Sequence, residues 1–239
     1  MCFHYSLTKE RTEIEIQLGV HFEEEWSPIF HANGFSFLKM PVITQNDPGK
    51  IQLFNWGLIP HWIKTRSEAD KLRGQTLNAR SETVFEKTSF RSNISINRCL
   101  VIADGFYEWM DFNKKKYPHL IGMKNGNLFC FAGIYSNWTD KETGEHLYTF
   151  SILTTAANPM MARIHNSKER MPVIIPTHLY RKWLAPALNK NEVSSFFDPY
   201  PELELAAHTI SKLISSRTQD SNVPEVKDPW PYPELALTE

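Results

Sequence analysis

The chain has 239 residues, 41% hydrophobic and 22% charged, proportions that exclude an intrinsically disordered, collagen-like or low-complexity protein. Twenty-six Lys and Arg against 27 Asp and Glu give a net charge of −1, which excludes a uniformly basic nucleic-acid coat but not a local basic patch. Three cysteines without a close pair argue against a disulfide framework, and no apolar run approaches the ~20 residues of a membrane span, so a cytoplasmic, reducing location is expected.

In chain order, the stretch Trp56–Trp62 comes first, and Trp56 is expected to anchor the core. The segment from Lys64 to Arg98 carries eight basic and four acidic residues, a local charge of +4. Within it, Thr83–Lys87 opens with Thr-x-x-Glu, a capping-box pattern that predicts a helix. Apolar runs predict strands at Leu100–Ala103, His119–Met123, Leu128–Tyr135, Leu147–Thr154 and Val173–Ile175. Asn125-Gly126 predicts a type I′ hairpin between the second and third, and Asp140–Glu145 turns the third into the fourth. Helices are predicted at Thr177–Leu184 and Asn191–Phe197. The last 48 residues, Glu192 to Glu239, hold nine acidic and three basic residues, and 224–239 reads as a Pro-rich acidic tail on the surface. The expectation is an α+β fold, an antiparallel meander with helices attached, with no linker dividing residues 1–239.

Zinc and phosphate-loop patterns are missing from the sequence, so no metal or nucleotide cofactor is expected. Cys2 is the most unusual position. Removal of Met1 would leave an α-amine and a thiol on adjacent carbons, a pair suited to an aldehyde. A cysteine that merely follows the start is the plainer reading. Glu108, in Gly105-Phe106-Tyr107-Glu108-Trp109, ends an apolar run, where a carboxyl has a raised pKa and suits proton transfer; a strand-end Glu facing water fits equally. Asn78 and Arg80, in Asn78–Thr83, offer an amide for a reacting oxygen and a cation for phosphate, or a turn and a surface ion pair. His165 suits a proton shuttle with a pKa near neutrality; a satisfied loop histidine is the plainer reading. Trp62 offers a ring for stacking on unpaired bases.

Taken together and in order, Met1-Cys2, Trp56–Trp62, Asn78–Thr83, Arg98–Leu100, Gly105–Trp109, Phe131–Gly133, Thr154–Asn158 and His165 through Arg170–Ile174 resemble the SRAP family, the abasic-site-processing proteins. The resemblance implies a single α+β domain around a mixed, barrel-like, largely antiparallel sheet with flanking helices. It implies capture of abasic sites in single-stranded DNA through a thiazolidine crosslink at Cys2, with β-elimination open from the Schiff-base stage. The catalytic positions it implies are Cys2, Asn78, Glu108 and His165, with Arg80, Arg170 and Trp62 on the DNA. A monomer without membrane, metal or other cofactor is the expected form. Two departures stand out. His4 replaces the family's phosphate-binding Arg, and four residues, Asn166 to Glu169, separate His165 from Arg170 where one is usual. Lys168 in that longer loop is expected to take over phosphate contact.

Two other classes stay open: a cysteine peptidase or N-terminal-nucleophile hydrolase whose minimal act is removal of Met1, and a non-catalytic single-stranded nucleic-acid-binding module.

Overall fold

The structure, a computed structural model, describes residues 2–235. Strand pairing sorts the described residues into two sheets. The first contains β1 (His4–Leu7), β3 (Ile29–Asn33), β8 (Gly105–Phe112), β9 (Lys115–Met123) and β14 (Leu205–Thr209), in the order β14-β9-β8-β1-β3. The second is built on β4 (Lys39–Thr44), β5 (Lys50–Trp56), β7 (Arg98–Ala103), β10 (Phe129–Thr139) and β11 (His146–Ala156).

These last five strands close on themselves. The order β11-β10-β7-β4-β5 is antiparallel throughout, and β5 then pairs β11 in parallel through Asn55 with Thr149 and Trp56 with Phe150. Closure leaves the principal strands without a free edge and encloses apolar side chains. Trp56 and Phe150 stack at 6.2 Å, and Tyr5 of β1 meets both Trp56 and Phe131 edge-on. Trp56 is fully buried, as its sequence context predicts. Gly133 of β10 is required by space, because a Cβ there would lie 2.8 Å from Cys99 Sγ and from Val101 Cγ2. Short strands extend the rim: β2 (His21–Phe22) pairs β5, β6 (Asn78–Arg80) and β12 (Arg170–Pro172) pair β11, and β13 (Ile174–Ile175) pairs β10.

Among the described residues six α-helices flank the sheets: α1 (Arg11–Leu18), α2 (Arg66–Arg73), α3 (Asn93–Ile96), α4 (Pro159–Ile164), α5 (Tyr180–Trp183) and α6 (Lys190–Ser194). The α+β class and the mixed barrel are therefore as expected. Three local expectations are not. Thr83–Lys87 forms successive turns rather than a helix. One helical bond, Lys87 N–H to Thr83 O, closes but does not propagate, as the cost of nucleation predicts for so short a segment. Asn125-Gly126 reverses the chain, with Gly126 at φ 71°, but β9 and β10 do not pair; the turn hands the chain from one sheet to the other. The consecutive strands are thus dealt between two sheets rather than forming one meander. By contrast, Asp140–Glu145 does close the β10–β11 hairpin.

The segment 224–235 follows the surface and is tied down. Val226 is fully buried against Tyr107, Leu120, Ile210 and Ile214. Lys227 Nζ donates to Asp104 Oδ1 at 3.0 Å, where Ser6 and Thr8 hydroxyls also donate to the carboxylate. Residues 236–239 of the predicted tail lie outside the described residues.

Candidate active site

Four elements converge beside the N-terminus of β1. Cys2 precedes β1 and is fully buried. Asn78 opens β6, whose pairing with Ile152 of β11 places it beside the chain start. Its Nδ2 donates to Cys2 O at 2.9 Å. Its Oδ1 is buried with no hydrogen-bond partner among the described residues, so the amide holds Cys2 by one end and offers an acceptor at the other. Glu108 lies in the buried half of β8, and His165 ends α4. Asn158 caps that helix, its Oδ1 accepting from Met161 N, and Pro159 sets the first turn.

His165 Nδ1 lies 3.6 Å from Glu108 Oε2 and 2.9 Å from Arg170 O. A carbonyl only accepts, so the neutral ring carries its proton on Nδ1 and Nε2 is unprotonated. Burial pushes the Glu108 carboxyl up to about 8 and the His165 imidazole down to about 4. Their proximity is therefore not an ion pair at neutral pH; both groups are predominantly uncharged. The expectation of a His165 that titrates near neutrality is corrected by its burial, and Glu108 is the group that titrates nearest to pH 7. Burial, with the nearby Glu108 carboxylate, raises the Cys2 thiol well above its ordinary value.

Glu108 and His165 open onto a cleft of about 410 Å³ that Phe3, His4, Lys116 and Lys168 also line. Lys116 comes from the β8–β9 hairpin and Lys168 from the loop after α4, so two exposed cations flank the acid and the imidazole. The longer loop is clamped rather than loose. Asn166 Nδ2 donates to Asp111 O at 2.9 Å, and Asp111 N donates to Asn166 Oδ1 at 3.0 Å. The pair ties the loop of His165 to the strand of Glu108.

The remaining predicted residues are placed unevenly. Arg80 projects from β6 with its side chain 59% exposed, 3.7 Å from Glu82. Trp62 is exposed at a separate surface depression with His61 and Arg91. His4 reaches the cleft, but burial pushes its ring down to about 3, so it brings no positive charge at pH 7. Arg170 is buried, paired with Glu82, and donates to Thr154 O at 2.6 Å. A phosphate contact needs an accessible guanidinium; this one instead fastens β12 to β11 and to the turn after β6. Sequence reasoning missed Lys116 and Ser215, which join the cleft only through folding. Among the described residues no group of three or more His, Cys, Asp or Glu is arranged to hold a metal, and no helix is long and apolar enough to cross a membrane.

The geometry defines a class: an α+β barrel protein in which a carboxylic acid and an imidazole line one cleft and a buried thiol-bearing residue is held by an amide at the chain start. The family model described as "SOS response associated peptidase (SRAP)" matches residues 1–217, and the chain belongs to that family. It is 34% identical over 226 residues to the abasic site processing protein YoqW of Bacillus subtilis, covering 92% of this chain and 97% of that protein. Similarity to the abasic site processing protein HMCES of Gallus gallus is 30% over 187 residues, 70% of this chain and 54% of that one. A crystal structure of a protein from Bacteroides thetaiotaomicron superposes with a TM-score of 0.90 at 36% identity, covering 96% of this chain and all of that one.

Proposed function

We propose that this protein processes abasic sites in single-stranded DNA and, once Met1 is removed, captures them as a thiazolidine at Cys2. The observation that carries the reading is the Glu108–His165 pair at a cleft flanked by Lys116 and Lys168, with Cys2, held by Asn78, buried within the electrostatic reach of Glu108. Relatives over nearly the whole chain bear the name abasic site processing protein.

An abasic sugar opens to an aldehyde. The α-amine of Cys2 attacks it, water departs, and a Schiff base forms. The thiol then adds across the C=N bond: a C–S bond forms and the thiol proton passes to nitrogen, closing the five-membered ring. An α-amine has a pKa near ~8. Glu108, at about 8, is matched to it, and matched groups exchange protons without a large thermodynamic barrier. His165 serves the sugar oxygen through Nε2, its tautomer fixed by Arg170 O. The open acceptor of Asn78 takes a hydrogen bond from the amine or the adduct nitrogen. Lys116, Lys168 and Arg80 meet phosphates. The Schiff base also permits β-elimination. The peptidase reading is less well supported, because a cysteine protease lowers the pKa of its thiol whereas burial raises that of Cys2.

Intact mass tests the proposal. The purified protein should lack Met1, and mixing with abasic single-stranded DNA should add the mass of the strand less one water. Cys2→Ala should form no heat-stable adduct while retaining non-covalent binding. An undiminished heat-stable adduct in Cys2→Ala, or cleavage of peptides by the wild type without any adduct, would overturn it.

A further inference from the structure

A hydrogen-bonded chain runs from the cleft to the half-buried Ser221 through residues outside the four-residue site. His4 lines the cleft beside Glu108 and His165. Its Nδ1 lies 2.8 Å from Nε2 of His31, and Nδ1 of His31 lies 2.7 Å from Oγ of Ser221. Both rings are held. His4 meets Trp109 edge-on at 4.9 Å, and His31 meets Tyr107 at 5.7 Å. Asn222 Oδ1 accepts from the backbone N–H groups of Phe30 and His31, which fixes Ser221 against the His31 ring. Ser221 and Asn222 lie beyond the residues that the family model matches.

We propose that His4, His31 and Ser221 form a proton relay between the active-site cleft and solvent. The chemical step it serves rests on the abasic-site reading above.

Burial keeps both imidazoles uncharged at neutral pH, pushing His4 down to about 3 and His31 to about 4. Asp220 acts on His31 in the opposite direction without reversing the shift. Glu108, His165, Lys116 and Lys168 are the titratable groups that share the cleft with His4. Tyr107, beside His31, is raised by burial and donates its hydroxyl to Phe30 O.

A neutral imidazole carries one N–H, so the chain has two complete arrangements. In the first, His4 Nδ1–H donates to His31 Nε2, His31 Nδ1–H donates to Ser221 Oγ, and His4 Nε2 is bare. In the second, every donor is reversed: Ser221 donates to His31 Nδ1, His31 Nε2–H donates to His4 Nδ1, and His4 Nε2 carries a proton. Passage from first to second takes one proton onto His4 Nε2. It moves the Nδ1 proton of His4 to His31, moves the Nδ1 proton of His31 to Ser221, and releases the original hydroxyl proton to water. No net charge is left behind. Loss of water from the carbinolamine requires a proton at the departing oxygen. His4 in the second arrangement gives its Nε2 proton to that oxygen while the reverse passage brings one in from solvent at Ser221 and restores the first arrangement; the proton that the Cys2 amine sheds on attack reloads Nε2 by the forward passage.

The test uses the full chain and three variants. His31→Gln keeps one donor and one acceptor but cannot pass a proton through its side chain; His31→Phe fills the space; Ser221→Ala changes a half-buried surface hydroxyl. Rates of adduct formation with abasic single-stranded DNA are measured in H2O and D2O. Both His31 variants should be slowed about tenfold with a smaller solvent isotope effect, short of the ~100-fold for a direct general acid. Ser221→Ala should be slowed a few-fold. His31→Gln at the wild-type rate would make His31 a mere spacer and overturn the relay. Ring 15N shifts give a readout independent of activity. Both rings should be neutral at pH 7, and Ser221→Ala should shift the ring nitrogens of His4. A protonated ring, or a His4 untouched by that substitution, would overturn the proposal. If the wild type forms no adduct, the abasic reading falls and the ring shifts alone decide the relay.

Discussion

Burial drives Glu108 and His165, 3.6 Å apart, in opposite directions, so an uncharged carboxylic acid faces an uncharged imidazole where the sequence reading expects a His165 that titrates near neutrality. That difference separates their roles. Glu108→Gln keeps the shape and removes the proton carrier matched to the Cys2 amine, so adduct formation should slow by ~100-fold or more. His165→Ala should act more on strand cleavage and adduct release than on the final adduct yield. Time courses of the three processes decide it; equal slowing of all three by both variants would show that the pair acts as one unit. The four residues proposed for the site were singled out because each sits in a short sequence pattern: Met1-Cys2, Asn78–Thr83, Gly105–Trp109 and the run from His165. Their protonation states were not legible, because burial arises only when β8, α4 and the chain start meet. Lys116 was hidden for the same reason: nothing in Lys115-Lys116 distinguishes it from a solvated hairpin tip until β8 turns it toward the cleft.

At the scale of elements, the two arginines flanking Glu82 divide stability from binding. Arg170 is buried with Glu82 and Thr154 and joins β12 to β11, while Arg80 stands exposed on β6. Arg170→Leu removes the ion pair with Glu82 and one of the donors to Thr154 O, leaving Glu82 only the longer contact with Arg80 and Thr154 O only Ser81 N. It should cost about 2–3 kcal/mol, less than a fully buried pair because Glu82 is half exposed. Denaturant midpoints check this. Arg80→Ala should leave the midpoint nearly unchanged but weaken binding to single-stranded DNA, reducing the slope of log K against log salt by about 0.7. An unchanged slope would confine Arg80 to its contact with Glu82. The sequence located β7, β10 and β11 well, since long apolar runs between turn residues admit few other readings. It missed α1, which buries only Ile14, and α2, whose Thr65–Glu68 capping box precedes a mostly charged helix. It overread Thr83–Lys87, where a capping pattern lacks a helix long enough to cap. Pairing was the least legible feature: a turn such as Asn125-Gly126 fixes a reversal but not which sheet receives the next strand.

For the whole molecule, the buried titratable groups set a stability optimum. The folded chain keeps a proton on Glu108 up to about 8, whereas the reference carboxyl releases it near 4.5. Between those values the folded state holds the extra proton, so stability falls as pH rises. His4, His31 and His165 do the reverse. Their reference value is 6.5, and the folded rings stay bare down to about 3, 4 and 4. The unfolded chain binds the extra protons there, so stability is lost as pH falls below 6.5. His119, also lowered by burial, adds in the same direction. Each unbalanced proton is worth at most about 1.4 kcal/mol per pH unit. Between pH 5 and 6.5 the histidines outnumber the single Glu, so the acid limb is the steeper one. Above about pH 7 Glu108 outweighs them, and the alkaline limb is gentler. The histidine and Glu108 contributions cancel where about a quarter of each unfolded histidine is protonated, so denaturant midpoints should peak at about pH 7. Glu108→Gln should flatten the alkaline limb while leaving the acid limb steep, and His31→Phe should make the acid limb shallower. A stability that keeps rising through pH 8 in the wild type, or an alkaline limb unchanged by Glu108→Gln, would show that Glu108 is not held protonated in the folded protein. The proton exchange proposed between Glu108 and the Cys2 amine would fall with it.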